Sequence, residues 1–188
     1  MLVASLLMLL SSCHGNRKRL FPSKLKDSYL ITYSKNEIVV ASDVHGCFER
    51  LYRIIKKENP QMVMFSGDGN EDIEHMQFVF PDIKFVTVRG NCDYDSDFKD
   101  EELVEILGRK IFITHGHIYG VKRNYHNIEI KGREEGADVV IFGHTHSPYL
   151  SKKENIILFN PGAVLCGSYG VINIEENKKI ELIHKEIQ

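Results

Sequence analysis

The segment EIVVASDVHG, residues 37–46, joins a short apolar run to a group of polar residues. The apolar run, residues 38–41, has the length and the β-branched content of a buried strand. Residues 48–58 then carry apolar side chains at helical spacing, and Pro60 ends that pattern. A second strand-like run follows at residues 62–65. This order of strand, helix and strand predicts a βαβ unit, and therefore an α/β fold.

The alternation continues for one more helix, at residues 71–80, and one more strand, at residues 84–88. The pattern then changes, because residues 103–114 are typical of a β-hairpin with a two-residue turn at Gly108 and Arg109. A further helix and four further strands are predicted at residues 127–135, 138–142, 156–159, 169–174 and 180–187. Strand–helix units in the first half and strands in the second predict two packed β-sheets with helices outside.

Length and composition limit the classes of protein to consider. A chain of 188 residues can form one well-buried domain but hardly two. The net charge of −2 argues against a broad basic surface for nucleic acid, although a nucleic acid recognised locally at one site stays open. The four cysteines are widely spaced with no CxxC pair, so a zinc knuckle, a redox motif and a disulfide framework are not expected.

We expect residues 1–36 to be an N-terminal extension of a domain that spans residues 37–188. Residues 2–10 are almost all apolar, and the LSSC that ends at Cys13 resembles a lipobox, with that cysteine lipidated. No Lys or Arg precedes the apolar run and five follow it closely, an order that retains the following segment in the cytoplasm. We therefore expect a cytoplasmic protein with a disordered extension. Lipoprotein-type export through Cys13, with membrane contact, is the alternative.

Five of the strand-like runs end in a loop that combines glycine with a residue able to bind metal. These loops are DVHG (43–46), GD (67–68), GNCD (90–93), THGH (114–117) and GHTH (143–146). Open α/β sheets place functional sites beyond the carboxyl ends of their strands, so we expect the loops to meet. In an extended chain, residues two apart project to the same side, so each D-x-H or H-x-H pair can point into one pocket. Each loop alone is a weak signal, but the five together predict a metal site.

The ordered set of D-x-H, G-D, G-N-C-D, an isolated His and G-H-x-H resembles the calcineurin-like metallophosphoesterase superfamily. It is most similar to the small single-domain phosphodiesterases of bacteria and archaea. The resemblance extends from residue 38 to about residue 187. It implies a four-layer α/β/β/α sandwich of two packed mixed β-sheets flanked by helices, in agreement with the two sheets predicted from the pattern. It also implies a hydrolase whose nucleophile is a metal-bridging hydroxide.

The same resemblance implies two divalent metal ions bridged by Asp68. The first ion would be held by Asp43, His45, Asp68 and His146, and the second by Asp68, Asn91, His115 and His144. Oxygen and imidazole ligands suit manganese, our main expectation, with zinc, iron, nickel and magnesium as alternatives. Two divalent ions, two carboxylates and one hydroxide leave a net charge of about +1, which is complementary to a phosphodiester monoanion.

Three residues are candidates for catalytic roles: the ligand Asn91, and Asp93 and His117, which lie near the ligands in sequence. Many members of the family have a His after the Asn, where this chain has Cys92. A buried thiol with a pKa of about 8.5 is a poor proton donor, so we assign it no catalytic role. His117 shares a loop with His115 and is either the replacement proton donor or a residue that orients a ligand. Asp93 is expected to hydrogen-bond a ligand histidine and fix its tautomer.

These observations favour a phosphodiesterase acting on a small phosphodiester or a nucleotide-type substrate, with no sign of duplex nucleic acid binding. One alternative is a non-catalytic scaffold of the same fold, similar to the retromer subunit, which has lost several ligands. All seven ligand positions carry competent residues here, which favours an enzyme. Within the superfamily, a phosphomonoesterase or a nuclease is the other alternative. Specificity is expected from loops such as 120–127 and 163–168.

Overall fold

The structure is a computed structural model and describes residues 37–188. The predictions made for residues 1–36, including the lipidation of Cys13, lie outside the described residues. No helix in the described part of the chain is long and apolar enough to cross a membrane.

Ten strands and three α-helices make up the described part of the chain. The strands are β1 Glu37–Ala41, β2 Met62–Phe65, β3 Lys84–Thr87, β4 Glu101–Ile106, β5 Arg109–Thr114, β6 Val139–Ile141, β7 Tyr149–Lys153, β8 Ile156–Asn160, β9 Ser168–Ile174 and β10 Ile180–Glu186. The helices are α1 Phe48–Glu58, α2 Asn70–Val79 and α3 His126–Glu134, with short 3₁₀ helices at His117–Tyr119 and Val164–Cys166.

The strands form two five-stranded mixed sheets. The first sheet has the order β10-β9-β1-β2-β3, with β1, β2 and β3 parallel to one another and β9 antiparallel to β1. The second has the order β4-β5-β6-β8-β7, with β5, β6 and β8 parallel and an antiparallel strand at each edge. The parallel strands of each sheet therefore end at a common edge, and the five loops that carry the candidate metal ligands follow those ends.

Three apolar clusters divide the protein into layers. The cluster between the sheets includes Val40, Met64 and Ile141, all fully buried. A second cluster lies between the first sheet and helices α1 and α2, and a third includes Ile128 of α3 and residues of the second sheet. The arrangement is an α/β/β/α sandwich, and the predicted fold is confirmed.

One local prediction was wrong, and one strand was missed. The hairpin turn is Leu107-Gly108 rather than Gly108-Arg109, since Ile106 pairs with Arg109. Both turn residues have positive φ, 50° and 72°, as the tight two-residue turn of a twisted hairpin requires. Strand β7 was not predicted, because its sequence YLSKK is half-exposed and carries lysines typical of a sheet edge. It forms only through antiparallel pairing with β8.

Candidate metal centre

The loop after β1 and the loop after β6 supply a first group of side chains able to hold an ion. Asp43 is fully buried, and its Oδ1 lies 3.1 Å from Nε2 of His146. Nε2 of His45 lies 3.4 Å from Nε2 of His146 and 3.9 Å from Oδ1 of Asp43. One nitrogen or oxygen of each residue lies within 4.8 Å of the others, so a single ion can contact all three.

A second group forms around His115, which is fully buried at the end of β5. Its Nε2 lies 3.3 Å from Oδ2 of Asp68, 3.2 Å from Oδ1 of Asn91 and 3.1 Å from Nδ1 of His144. Its Nδ1 hydrogen-bonds with the carbonyl of Ser66 at 2.7 Å, which fixes the ring orientation. The ligand atoms of Asp68, His115 and His144 also lie within 4.8 Å of one another.

Asp68 connects the two groups. Its Oδ2 lies 3.8 Å from Nε2 of His45 in the first group and 3.3 Å from Nε2 of His115 in the second. A carboxylate in this position can contact an ion on each side. The structure thus brings all seven sequence-predicted metal ligands into one cluster, with Asp68 in its middle.

Five of these ligands have a left-handed backbone, which is uncommon for residues with a side chain. The φ angles are 53° at Asp43, 47° at His45, 61° at Asp68, 67° at His144 and 58° at His146. Such conformations cost on the order of 1–3 kcal/mol each and concentrate at functional sites. They turn the chain sharply at the strand ends, which lets separate loops approach one pocket. Fixed loop geometry of this kind is expected of a preorganised site.

Asp93 has a different role from the one expected of it. Its carboxylate accepts hydrogen bonds from the backbone N–H groups of Asp68, Gly69, Asn70 and Gly90, at 2.7 to 3.0 Å, and not from a ligand histidine. These donors lie in the loop after β2, at the first residue of α2 and in the loop after β3, so Asp93 joins the loops after β2 and β3. Its effect on the metal ligands passes through the backbone of Asp68.

Asn160 supports the site, although the sequence did not predict a functional role for it. This fully buried residue at the end of β8 donates from Nδ2 to the carbonyl of Gly143 at 2.9 Å and to Oγ1 of Thr145 at 3.0 Å. Both acceptors lie in the GHTH loop, on either side of His144. His184 of β10 donates from Nε2 to the carbonyl of Asn160 at 2.7 Å. The only sequence signal was the Asn-Pro-Gly turn, which by itself indicates a turn.

His117 lies beside the second group without entering it. Its ring centroid is 5.4 Å from that of His115 and 6.1 Å from that of His144, and its Nδ1 is buried without a hydrogen-bond partner. Burial and the neighbouring His115 lower the pKa of His117. The ring is therefore mostly neutral at pH 7, which is compatible with either role considered for it.

Cys92 is exposed, so the expectation of a buried thiol was wrong. It lies at the tip of the GNCD turn, and its backbone N–H donates to Oδ1 of Asp68 at 2.7 Å. Partial desolvation of the sulfur and the nearby Asp68 raise the pKa of the Cys92 thiol, so it remains a poor proton donor in the metal-free protein.

The protonation states within the cluster suit cation binding. Burial opposes ionisation of Asp68, but the hydrogen bond and charge of His115 outweigh it and lower the Asp68 pKa. Burial likewise disfavours the charged form of His115, but Asp68 and Asp43 outweigh it and raise the His115 pKa. Burial and His115 lower the pKa of His144 to about 4, so this imidazole has a free lone pair at pH 7. A cation would replace the proton that His115 attracts.

The donor set fits divalent ions. Oδ1 of Asp43 is buried with no hydrogen-bond partner and faces Nε2 of His146 instead. Two pairs of imidazole nitrogens approach to 3.4 Å and 3.1 Å, where at most one nitrogen of each neutral pair can donate. Cations between these atoms would satisfy the unpaired carboxylate oxygen and the imidazole lone pairs together.

Comparison with known proteins agrees with this geometry. The family model of the calcineurin-like phosphoesterase superfamily domain matches residues 37–177. The chain is 32% identical over 147 residues to the probable metallophosphoesterase YsnB of Bacillus subtilis, covering 74% of this chain and 85% of that protein. It is 26% identical over 167 residues to the phosphodiesterase YfcE of Escherichia coli K12, covering 73% and 87%.

A solved structure shows the same fold. Vacuolar Protein Sorting 29 from Cryptosporidium parvum superposes with a TM-score of 0.64 at 16% identity, covering 81% of this chain and 98% of that chain. At this identity the similarity concerns the fold alone. The family match covers most of the chain, and its range contains every residue of the metal cluster. The chain therefore belongs to the calcineurin-like phosphoesterase superfamily.

Proposed function

We propose that the protein is a metal-dependent phosphodiesterase that holds two divalent ions. The observation that carries this proposal is the pair of ligand groups that meet at Asp68, one around Asp43 and one around His115. The name of the relative YfcE, a phosphodiesterase, supports the same reaction class. We propose manganese as the metal, with zinc, iron, nickel and magnesium as alternatives, because the seven ligands offer oxygen and imidazole nitrogen without sulfur.

Asp43, His45, His146 and Asp68 would hold one ion, and Asp68, Asn91, His115 and His144 the other. When bound, the two ions would supply Lewis-acid activation of water and neutralise charge on the phosphoryl oxygens. The chain contributes two carboxylates and otherwise neutral ligands. The site therefore keeps a positive charge that attracts a phosphodiester monoanion.

The remaining polar groups of the site assist by position. The carboxylate of Asp93 fixes the backbone of Asp68 and Gly90, and so the direction of both flanking loops. Within the described residues, His117 is the neighbouring imidazole that the two ligand groups do not use. We propose it as the proton donor to the leaving oxygen, with orientation of a ligand as the alternative role.

We propose a small phosphodiester or a nucleotide-type molecule as the substrate. The net charge of −2 provides no general attraction for duplex nucleic acid, so recognition has to come from the site itself. We propose that the protein acts in the cytoplasm, because Lys and Arg residues follow the apolar run at residues 2–10 and none precedes it.

A non-catalytic scaffold is the second candidate function, favoured by the structural similarity to Vacuolar Protein Sorting 29. The complete ligand set argues against it, since a binding platform gains nothing from five strained backbone positions at metal ligands.

The deciding experiment is hydrolysis of an activated aryl phosphodiester by protein that has been stripped with a chelator and reloaded with manganese. We expect turnover with manganese and none after stripping, and slower turnover of the matching aryl phosphomonoester. Circular dichroism and metal analysis would accompany the assay. Folded, manganese-loaded protein without turnover of either ester would overturn the enzymatic proposal in favour of the scaffold.

A further inference from the structure

The thiol of Cys92 lies within reach of the metal cluster. Its Sγ, a ring nitrogen of His45 and a carboxylate oxygen of Asp68 all lie within 4.8 Å of one another. The backbone of Cys92 is held in place by its N–H bond to Oδ1 of Asp68, and Nδ2 of Asn91 approaches Sγ at 3.2 Å. The sulfur is therefore positioned by two of the proposed metal ligands, Asp68 and Asn91.

Packing does not explain this position. Cys92 is exposed and belongs to none of the three apolar clusters, whereas Cys47 packs against the cluster under α1. Cys166 is also exposed, on the 3₁₀ helix at Val164–Cys166, and takes part in none of the three ligand groups. Of the cysteines among residues 37–188, Cys92 alone joins a histidine and a buried carboxylate in such a group.

We propose that Cys92, His45 and Asp68 form a subsite for a thiophilic divalent ion such as cadmium, zinc or cobalt. Sulfur, imidazole and carboxylate are the donors that soft and borderline ions favour, while manganese prefers oxygen. Binding forms a sulfur–metal bond and breaks the S–H bond, and the thiol proton passes to the solvent. The ion keeps its charge, and no oxidant or reductant takes part.

The subsite shares two side chains with the proposed manganese centre. His45 belongs to the group around Asp43, and Asp68 is the connecting carboxylate, so an ion bound to Cys92 removes ligands from both manganese positions. Thiophilic ions should therefore inhibit the manganese enzyme. This consequence rests on the proposed function, whereas metal binding by the thiol does not.

The test is a cadmium and cobalt titration of the full-length, chelator-stripped protein, followed by ultraviolet absorption. A thiolate bound to either ion gives a ligand-to-metal charge-transfer band that oxygen and nitrogen ligands do not give. We expect the band in the wild type and in Cys166→Ser, and its loss in Cys92→Ser. Cadmium affinity should fall at least about tenfold in Cys92→Ser, the smallest change typical even for loss of an outer-shell partner of a metal site.

The inhibition assay uses the same proteins loaded with manganese. Cadmium should reduce hydrolysis less strongly in Cys92→Ser than in Cys166→Ser. A charge-transfer band that persists in Cys92→Ser, or cadmium binding to the wild type without such a band, would overturn the subsite. If the band behaves as expected while manganese supports no hydrolysis, the subsite stands and the proposed enzymatic function falls.

Discussion

At the scale of single residues, the site depends as much on buried supports as on its ligands. Asp93 and Asn160 are not proposed ligands, and the bonds described above do not join them to any ligand side chain, yet each fixes the backbone of a ligand loop. Outer supports of this kind typically change metal affinity by about 10- to 100-fold when removed. Metal binding thus requires both the correct ligand residues and their correct placement, and a mutation can disturb the placement while it leaves the ligands unchanged.

Asn160→Ala should weaken manganese binding by about 10- to 100-fold while leaving all seven ligands in place. The substitution removes the Nδ2 hydrogen bonds to Gly143 and Thr145. It also leaves the buried N–H of Gly162 without its Oδ1 acceptor, which lowers the free energy of unfolding by about 1–3 kcal/mol. Isothermal titration calorimetry measures the affinity. Asn155→Ala, at an exposed position in the β7–β8 turn, is the control and should bind manganese like the wild type. Equal affinities in the two variants would exclude the supporting role of Asn160.

His117→Ala distinguishes a proton donor from a bystander. If His117 protonates the leaving oxygen, kcat/KM should fall by about 100-fold for poor leaving groups and hardly at all for nitrophenolates. Because burial lowers the His117 pKa, its protonated fraction is small at neutral pH, and its contribution should increase as the pH falls. The measurement is kcat/KM across aryl and alkyl phosphodiesters at several pH values. An equal loss for all leaving groups would remove His117 from proton transfer.

At the scale of elements, close contacts between helices and sheets hold the strand ends in place. Helix α3 approaches the second sheet at Gly132, which faces Val140 and Ile156. Helix α1 ends at Glu58, which reaches across to β9 and β10 through Tyr169 and Lys185. Each contact can be tested by one substitution.

Gly132→Ala should destabilise the protein although alanine is the better helix former. The gain in helix propensity is about 1 kcal/mol. A Cβ at this position would lie 2.3 Å from Cγ2 of Val140 and 2.9 Å from Cδ1 of Ile156, an overlap that costs about 1–3 kcal/mol. Urea unfolding should therefore show a net loss of about 1 kcal/mol, with exposed Glu134→Ala near zero. A more stable Gly132→Ala protein would mean that the side chains move away at little cost.

Glu58→Gln should destabilise the protein at neutral pH and not in acid. Burial would raise the Glu58 pKa, but the hydrogen bonds from Lys185 and Tyr169 outweigh it and lower the pKa below the ordinary value of 4.5. A carboxylate with a lowered pKa stabilises the folded state above its unfolded pKa, and this contribution is lost as the pH falls through the folded pKa. We expect a loss of about 1 kcal/mol at neutral pH.

Urea unfolding of the wild type, Glu58→Gln and the exposed control Glu181→Gln as a function of pH measures this effect. The difference between wild type and Glu58→Gln should shrink as the pH drops below 4.5 and vanish below the lowered folded pKa of Glu58, where both side chains are uncharged. A difference that is constant with pH would show that the ion pair with Lys185 contributes nothing.

At the scale of the whole molecule, the metal cluster joins the two sheets. Asp43, His45, Asp68 and Asn91 follow strands of the first sheet, whereas His115, His144 and His146 follow strands of the second. Ions bound between them would add cross-links between the two halves of the sandwich. Metal binding and global stability should therefore be coupled.

Manganese at about 100 times its Kd should stabilise the protein by about 2.7 kcal/mol for one site. For a chain of this size the corresponding rise in Tm is roughly 5–10 °C. Differential scanning calorimetry of stripped and reloaded protein measures it. Asp68→Asn, which removes the shared carboxylate, should abolish the increase, while the exposed control Asp97→Asn should retain it. One ion bound at full affinity by Asp68→Asn would contradict the bridging assignment.

The sequence by itself determined the class of fold and the positions of the candidate metal ligands. Local periodicity predicts the strands and helices, and the end of each apolar run shows which polar residues lie at a strand end. The two-sheet sandwich and the seven clustered ligands could therefore be predicted without coordinates. The predicted family membership, which depends on the same ordered loops, is confirmed as well.

Tertiary structure decided which residues support the ligand loops through hydrogen bonds. The bonds of Asp93 to the backbone of residues 68–70 span more than 20 positions, and those of Asn160 to the GHTH loop span 15 and 17. A local sequence pattern cannot predict hydrogen bonds between positions so far apart, because these bonds depend on which strands become neighbours and in what register. For the same reason the exposure of Cys92 and the edge strand β7 escaped prediction. Residue types determine which chemical groups the chain can offer, and the packing of the two sheets determines which of those groups come together.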